Sequence, residues 1–340
     1  MSIFKDGLIK ICNRTDLTEA EMSAMIMEIF SGEITDAQIG AFMGALSTKG
    51  ETFEELAGAA RAMRIKAARI ETAGSDVIDT CGTGGDGANT FNISTTTAFV
   101  VAGAGVTVAK HGNRSVSSQC GSADLLEALG VKIDIDPEIV EECIAETGIG
   151  FMFAPRFHGA MKYAANARKQ IGLKSIFNML GPLTNPAAAN CQLLGVYAPQ
   201  LTEMFASALK LLGAKRAMVV HGHDGLDEIS ICAPTRVTEL KDNRLTTYDI
   251  SPETFFGSRA NPEAIQGGDP HVNAGITRAV LAGEKGAPRD IVLINSGAAL
   301  AIAGRAENIQ TGIKIAEESI DSGAARSKLE KLIEFTRENG

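Results

Sequence analysis

The chain contains no tryptophan, and none of its six cysteines forms a C-x-x-C pair. The scatter of Cys12, Cys81, Cys120, Cys143, Cys191 and Cys232 argues against a zinc site or a disulfide framework, so free thiols are expected. No run of roughly 18 consecutive apolar residues is present, so no membrane-spanning helix is expected. Residues 1–14 alternate charged and apolar side chains, without the basic start, apolar block and cleavage site of a secretory signal. The expected location is the cytoplasm. Positive charge is also scarce, with 32 Lys and Arg against 41 Asp and Glu and a net charge of −9. That balance repels a phosphate backbone, so nucleic acid is not an expected partner, nor, without a long apolar run, is a membrane, while a local basic pocket remains compatible.

A 340-residue chain exceeds the usual size of one hydrophobic core, which suggests two domains, or one large α/β domain with an appendage. The N-terminal part is punctuated by three capping boxes, Thr18 with Glu21, Thr35 with Gln38, and Thr52 with Glu55. Gly32 and Gly50 close two of the helices so begun. Met22, Met25, Ile26 and Ile29, then Ile39, Phe42, Met43 and Leu46, recur at helical spacing. Residues 1–72 therefore read as a small α-helical domain, its apolar faces buried within the chain or against a partner.

From about residue 75 the pattern becomes short apolar runs, at 77–79, 106–109, 149–153, 193–197 and 217–220, with helices such as 201–212 between several of them. This alternation predicts an α/β domain over 73–340 with a mainly parallel central sheet. Residues 235–290 read as later strands plus loops, and helices return at 291–303 and 306–320. Ligands of such sheets bind at loops beyond the strand carboxyl ends.

One such loop is GTGGDGANTFNIST (82–95), in which Gly82, Gly84 and Gly87 satisfy G-x-G-x-x-G. A dinucleotide site would place an acidic residue roughly 20 positions on, and its helix would begin within the glycines. Instead the next strand runs into Lys110-His111-Gly112-Asn113-Arg114, and no G-K-[ST] completes a Walker loop. What survives is an anion cradle, with glycines allowing close backbone approach and a helix starting near Ser94 aiming free amides at the ligand. A second loop, 110–122, adds cations and hydroxyls before a helix at 123–129. Two such loops at neighbouring strand ends suit a ligand with two separate phosphate groups. Further on, HGHDGLDE (221–228) presents Asp224, Asp227 and Glu228 in a turn, hard oxygen donors of the kind Mg²⁺ accepts beside substrate phosphate. His221 and His223 lack a third ligand at zinc spacing and read as structural.

These stretches, together with KHGNRSVSS (110–118), GSADLLEALG (121–130), SIFNMLGPLTNP (175–186) and RDIVLINSGAALAIAG (289–304), are collinear, and in that order the chain resembles the anthranilate phosphoribosyltransferase family. The resemblance implies an α-helical N-terminal domain, joined by a later helical segment near 165–190, beside an α/β domain similar to nucleoside phosphorylases, and a homodimer through the helical part. It implies transfer of the 5-phosphoribosyl group from phosphoribosyl pyrophosphate (PRPP) to the amine of anthranilate, giving N-(5-phosphoribosyl)anthranilate and pyrophosphate, in tryptophan biosynthesis. By the same resemblance Gly82, Gly85, Asp86, Thr90, Asn92, Ser94, Thr95, Lys110, Asn113, Ser118 and Ser122 would surround PRPP. Ser94, Asp227 and Glu228 would hold two Mg²⁺ ions, and Gly82, Asn113 and Arg168 would contact anthranilate, with no residue needed as general base. Arg168 is selected by its Asn-Ala-Arg-x-x-Ile-Gly context alone, because on a helix over 158–171 Lys169 lies nearer the face of His158. The sequence departs from the family at Gly159 and Asn166, where proline is frequent, which could loosen the acceptor segment, and at Cys120, where serine is common. Two other functions are compatible with this architecture: a pyrimidine nucleoside phosphorylase-like transferase, which would not need the Asp227–Glu228 pair, and a non-catalytic nucleic-acid-binding relative, which would need a large basic surface.

Overall fold

A computed structural model describes residues 3–72, 76–115 and 119–340. Helices α1 (Ile3–Cys12), α2 (Glu19–Ile29), α3 (Asp36–Lys49) and α4 (Phe53–Lys66) open the chain. The last three start at the expected capping boxes, each threonine hydroxyl accepting from the N3 amide while the N3 side chain returns to the cap amide. Their periodic apolar residues meet in one solvent-free cluster. Glu55, fully buried, accepts a hydrogen bond from the Leu17 amide and pairs with Lys49, whose ammonium also reaches Asp16. Removing either partner would strand a buried charge, so the pair fixes how α3 and α4 meet.

The cluster extends beyond the N-terminal helices. Ala164, Ala167, Ile176, Phe177 and Leu183 join it, as does the helix Leu201–Leu211 through Phe205 and Leu209. Arg61 and Arg64 of α4 donate to the carbonyls of Leu211 and Leu212, where the unpaired carbonyls ending that helix carry partial negative charge. The helical layer is thereby stitched to the sheet.

Among the described residues the sheet has seven strands: β1 (Val77–Gly82), β2 (Thr107–Gly112), β3 (Ile149–Phe153), β4 (Cys191–Gly195), β5 (Arg216–Gly222), β6 (Thr235–Lys241) and β7 (Arg244–Ile250). Their order is β3-β2-β1-β4-β5-β6-β7; the first five are parallel and the last two form an antiparallel edge hairpin. The five runs predicted as strands all lie in or beside β1–β5. Residues 235–290 differ from the expectation of strands plus loops, because the helix Pro270–Leu281 follows the hairpin. Asp269 caps it by accepting from the His271 and Val272 amides, and Pro270 takes the first turn, where its missing amide costs nothing. The continuous helix expected over 158–171 is also broken, into Ala154–Phe157, a 3₁₀ turn Gly159–Met161 and Lys162–Ile171, with His158 in a non-helical conformation between them.

The chain builds β1, β2 and β3 towards one edge, then returns to place β4 on the other side of β1. That reversal leaves a crevice beyond the carboxyl ends of β1 and β4, the usual ligand position in such sheets. Both strands end in glycine, Gly82 paired in register with Gly195. A Cβ on Gly82 would run into the Asp227 carboxylate, and one on Gly195 would overlap the Asp227 carbonyl oxygen. The turn after β5 thus lies directly on the two strand ends. Gly195→Ala should therefore lower stability by about 2 kcal/mol or more, as overpacking against backbone does. Gly275→Ala, on an exposed helical turn with no neighbour within 4 Å, should be neutral or stabilising by up to about 1 kcal/mol. Urea-unfolding midpoints decide; equal midpoints would mean that the turn yields freely.

Candidate active site

Between β1 and the helix Ile93–Gly103 the glycine loop passes through four left-handed residues, Gly84, Gly85, Gly87 and Asn89, with φ of 66°, 77°, 72° and 53°. These turns bring the loop over the crevice with backbone amides facing inward. The Gly84 amide donates to Asp227 Oδ2 at 2.8 Å, and the Ser94 amide, at the start of the helix, donates to Glu228 Oε1 at 3.0 Å. The positions expected to cradle an external anion are thus engaged by two carboxylates of the chain itself. Asp86 closes the group, one oxygen accepting from the Asp227 amide at 3.4 Å and the other from Ala88 at 3.2 Å.

Negative charge is crowded here. Asp227 is pushed up to about 7 by burial and by the neighbouring Asp86, although part of its surface remains open to the crevice. Glu228 is buried and raised well above the usual carboxylate range by burial and by Asp227. Lys110, also buried, donates to the Thr80 carbonyl beneath them, and burial lowers its pKa. The third acid of the turn, Asp224, belongs elsewhere: it accepts from Ser230 Oγ at 2.6 Å and closes the turn locally. His221 is buried against the Val196 carbonyl and His223 pairs with Asp249 on the surface.

The second loop folds onto the N-terminus of the helix Ser122–Leu129. Asp124 Oδ2 accepts from the Ser115 and Gly121 amides, and Ser122 Oγ donates to the Asn113 carbonyl. Arg114, a cation of the basic stretch, is drawn away from the crevice by Asp124 and Glu127. Ser118 lies outside the described residues. Asn92 ties the two loops together, donating to the Cys120 carbonyl at 3.0 Å while its own carbonyl accepts from Cys120 Sγ and from Asn273. Thr90 makes a β-bridge to Gln266. Thr95 Oγ1 is buried without a protein partner, an orphan that a ligand oxygen at the helix start would satisfy.

Arg168 is half-buried, its guanidinium 5.7 Å from the centre of the Phe177 ring. No carboxylate pairs with it among the described residues, and burial lowers its pKa. Lys169 is exposed. The helix therefore turns towards the protein the arginine that its periodicity did not favour. Asn166 donates to Asp36 of α3, so this departure from proline adds a link to the helical layer where loosening was expected.

A model of the glycosyl transferase family helical bundle domain matches residues 5–67, and one of the family's a/b domain matches residues 74–326. The anthranilate phosphoribosyltransferase of Desulfosudis oleivorans is 68% identical over 339 residues, covering 99% of this chain and 100% of the relative. The chain belongs to the anthranilate phosphoribosyltransferase family. The crystal structure of the family member from Thermus thermophilus superposes with a TM-score of 0.92 at 41% identity, covering 99% of this chain and 100% of that one. The solved structure of the Saccharomyces cerevisiae anthranilate phosphoribosyltransferase in complex with PRPP and Mg superposes with a TM-score of 0.88 at 28% identity, covering 99% of this chain and 100% of that one.

Two groups near the crevice carried no signal in the sequence reading. Asn273 sits in the helix read as loop, and its role depends on that helix existing. His111 and His158 are 47 residues apart, yet their Nε2 atoms stand 3.2 Å apart, with His111 Nδ1 facing the Gly181 carbonyl at 3.1 Å. Burial holds both below the ordinary imidazole range, His158 at about 4 and His111 at about 3, where His158 and Lys110 lower it further. In the unfolded chain such a group titrates near 6.5. Below about pH 6.5 the unfolded state thus binds a proton that folded His158 refuses until about pH 4, and this contribution to stability falls as pH drops through that window. Between about pH 7 and about pH 5 the wild type should lose ~1–2 kcal/mol more stability than His158→Gln. Urea titrations at the two pH values measure this; parallel losses would mean that His158 is protonated in the fold.

Proposed function

We propose that the crevice binds PRPP as its magnesium complex across the two loops and passes the 5-phosphoribosyl group to the amine of anthranilate. The observation that carries this reading is the interleaving of carboxylates with phosphate-type donors: Asp227 on the Gly84 amide and Glu228 on the amide that opens the helix at Ser94. The carboxylates want a cation, the amides want an anion, and a metal diphosphate supplies both together. The relatives point the same way, being anthranilate phosphoribosyltransferases, one of them in complex with PRPP and Mg.

Among the described residues no three acidic, histidine or cysteine side chains converge closely enough to hold a metal alone. Asp227 and Glu228, through their carboxylate oxygens, and Ser94, through its single hydroxyl oxygen, would instead hold two Mg²⁺ ions together with phosphate oxygens and water, as this cation prefers. Bound there, magnesium neutralises the diphosphate and makes it a better leaving group. The rest falls to the chain. Gly82, Gly85, Asp86, Thr90, Asn92, Thr95, Lys110, Asn113, Ser118 and Ser122 would position PRPP, and the amides of the glycine loop and helix start would hold its oxygens in place. As the C–O bond to pyrophosphate breaks, the anomeric carbon becomes oxocarbenium-like and the aniline nitrogen forms the new C–N bond, then releases its proton to water. The amine's lone pair is already free at neutral pH, so positioning does the work of a general base. Arg168, with Asn113 and Gly82, would set the anthranilate carboxylate, for which an unpaired half-buried guanidinium is well suited. The product would be N-(5-phosphoribosyl)anthranilate, in tryptophan biosynthesis.

Exposed Ile3, Ile9 and Phe53 leave apolar surface on the helical layer, which supports a homodimer formed through it. No helix among the described residues is long and apolar enough to cross a membrane, in keeping with a cytoplasmic enzyme. The Asp227–Glu228 pair disfavours the phosphorylase-like alternative, whose chemistry has no use for it, and the net charge of −9 disfavours a nucleic-acid binder.

With PRPP, Mg²⁺ and anthranilate the protein should quench anthranilate fluorescence as product forms, against a low background from a chain without tryptophan. Turnover with another amine or base, but none with anthranilate, would sink the substrate assignment. Replacing Asp227 and Glu228 together by Ala should abolish Mg²⁺-dependent turnover; an unchanged metal titration would remove both from the ligand set. Arg168→Ala should raise KM for anthranilate by about tenfold or more while KM for PRPP moves less than about twofold. An equal effect on both would place Arg168 away from the acceptor.

A further inference from the structure

Lys174 belongs to neither loop, and the reaction just described gives it no part. It sits in the exposed turn after the helix Lys162–Ile171, past Gly172 and just ahead of Ser175, which caps the next short helix. Its Nζ nevertheless stands 3.5 Å from the point that a Cβ on Gly85 would occupy, so the ammonium lies against the left-handed bend of the glycine loop. The same Nζ is 4.6 Å from the centre of the Tyr197 ring. Tyr197 follows β4, and its amide donates to Thr83 Oγ1 at 3.2 Å. Thr83, Gly85, Tyr197 and Lys174 thus form one wall of the crevice.

No carboxylate pairs with Lys174 among the described residues. Glu51 also faces this corner, close enough to help raise the Tyr197 hydroxyl pKa, but forms no ion pair with the lysine. The other cations near the loops are committed: Lys110 is buried on the Thr80 carbonyl and Arg114 is held by Asp124 and Glu127. An aromatic face attracts an ammonium through its quadrupole and takes none of its N–H donors, so a lysine resting on Tyr197 keeps both charge and donors for an incoming oxyanion.

We infer that Lys174 is a diphosphate-binding residue that closes on the pyrophosphate moiety held by the glycine loop, with Tyr197 as its resting platform. The inference rests on the PRPP reading of the site. Its geometry has a consequence for domain arrangement, because Lys174 rides on the segment that runs from the helical layer back to the sheet. Contact with the diphosphate would pull that segment, and Arg168 six residues earlier, towards the donor.

The test compares wild type, Lys174→Gln and Lys174→Arg in steady-state turnover and in inhibition by inorganic pyrophosphate with Mg²⁺. Lys174→Gln should raise both KM for PRPP and the pyrophosphate inhibition constant by about tenfold, the usual scale for losing one charge-assisted contact. KM for anthranilate should move less than about twofold, and Lys174→Arg should recover most of the loss. Thermal melting of Lys174→Gln should match the wild type, since an exposed turn residue is being changed. An unchanged PRPP KM, an equal rise in both KM values, or a raised PRPP KM with unaltered pyrophosphate inhibition would each overturn the inference. Absence of any PRPP-dependent turnover in the wild type would instead refute the proposed function on which the inference rests.

Discussion

The contact of the 226–228 turn with the ends of β1 and β4 is the constraint on which the site depends. Two strands reach the crevice with no side chain at Gly82 and Gly195, and the Asp227 backbone and carboxylate occupy the space that a Cβ would have filled. Because the glycines are paired in register, both must be bare at once for the turn to descend. Its descent brings Asp227 within reach of the Gly84 amide and Glu228 within reach of the Ser94 amide. Without it the glycine loop would face solvent, and the helix start would be an ordinary anion site with no carboxylates beside it.

The same contact explains the electrostatics. Backbone amides at a helix start favour an anion, and the chain supplies its own in Glu228. Burial and crowding then push Asp227 and Glu228 up, so in this arrangement the carboxylates are poorly neutralised and the amides are saturated. A metal diphosphate, as proposed, would resolve both conditions, the cation taking the carboxylates and the phosphate oxygens taking the amides. The carboxyl oxygens of Asp227 and Glu228 hold the amide positions that the proposed ligand would take, so its binding would be an exchange of partners.

Much of this was legible in the sequence, though unevenly. The three capping boxes and the alternation of short strands with helices rest on local chemistry that any fold must obey, and they appear where they were expected; the basic stretch read as a loop does not, since Lys110 and His111 lie buried inside β2 and Arg114 is held by Asp124 and Glu127. Arg168 could be chosen only by the motif around it, because which face of its helix turns inward is decided by α3 and by the break at His158. The helix Pro270–Leu281 was missed although Asp269-Pro270 announces it, and with it went Asn273, the link from that helix to Asn92. The approach of His111 to His158, and of Lys174 to Gly85, is made by the packing of segments far apart in the chain, and residue spacing carries no trace of it.

The segment from His158 to Lys174 therefore does more than connect layers. Its helix packs into the core of the helical layer through Ala164 and Ala167 and is tied to α3 by Asn166. Its two ends face the other way, His158 to β2 and Lys174 to the glycine loop. A displacement of the helical layer must then move Arg168 and Lys174 together relative to the loops that would hold PRPP. Because His158 is buried against His111, which lies on the strand carrying Lys110, one end of the segment is pinned while the exposed turn at the other end has room to follow a ligand. Motion about that pin would bring Arg168 towards the donor loops, while the Asp227 turn stays held by the ends of β1 and β4 and by the amides of Gly84 and Ser94.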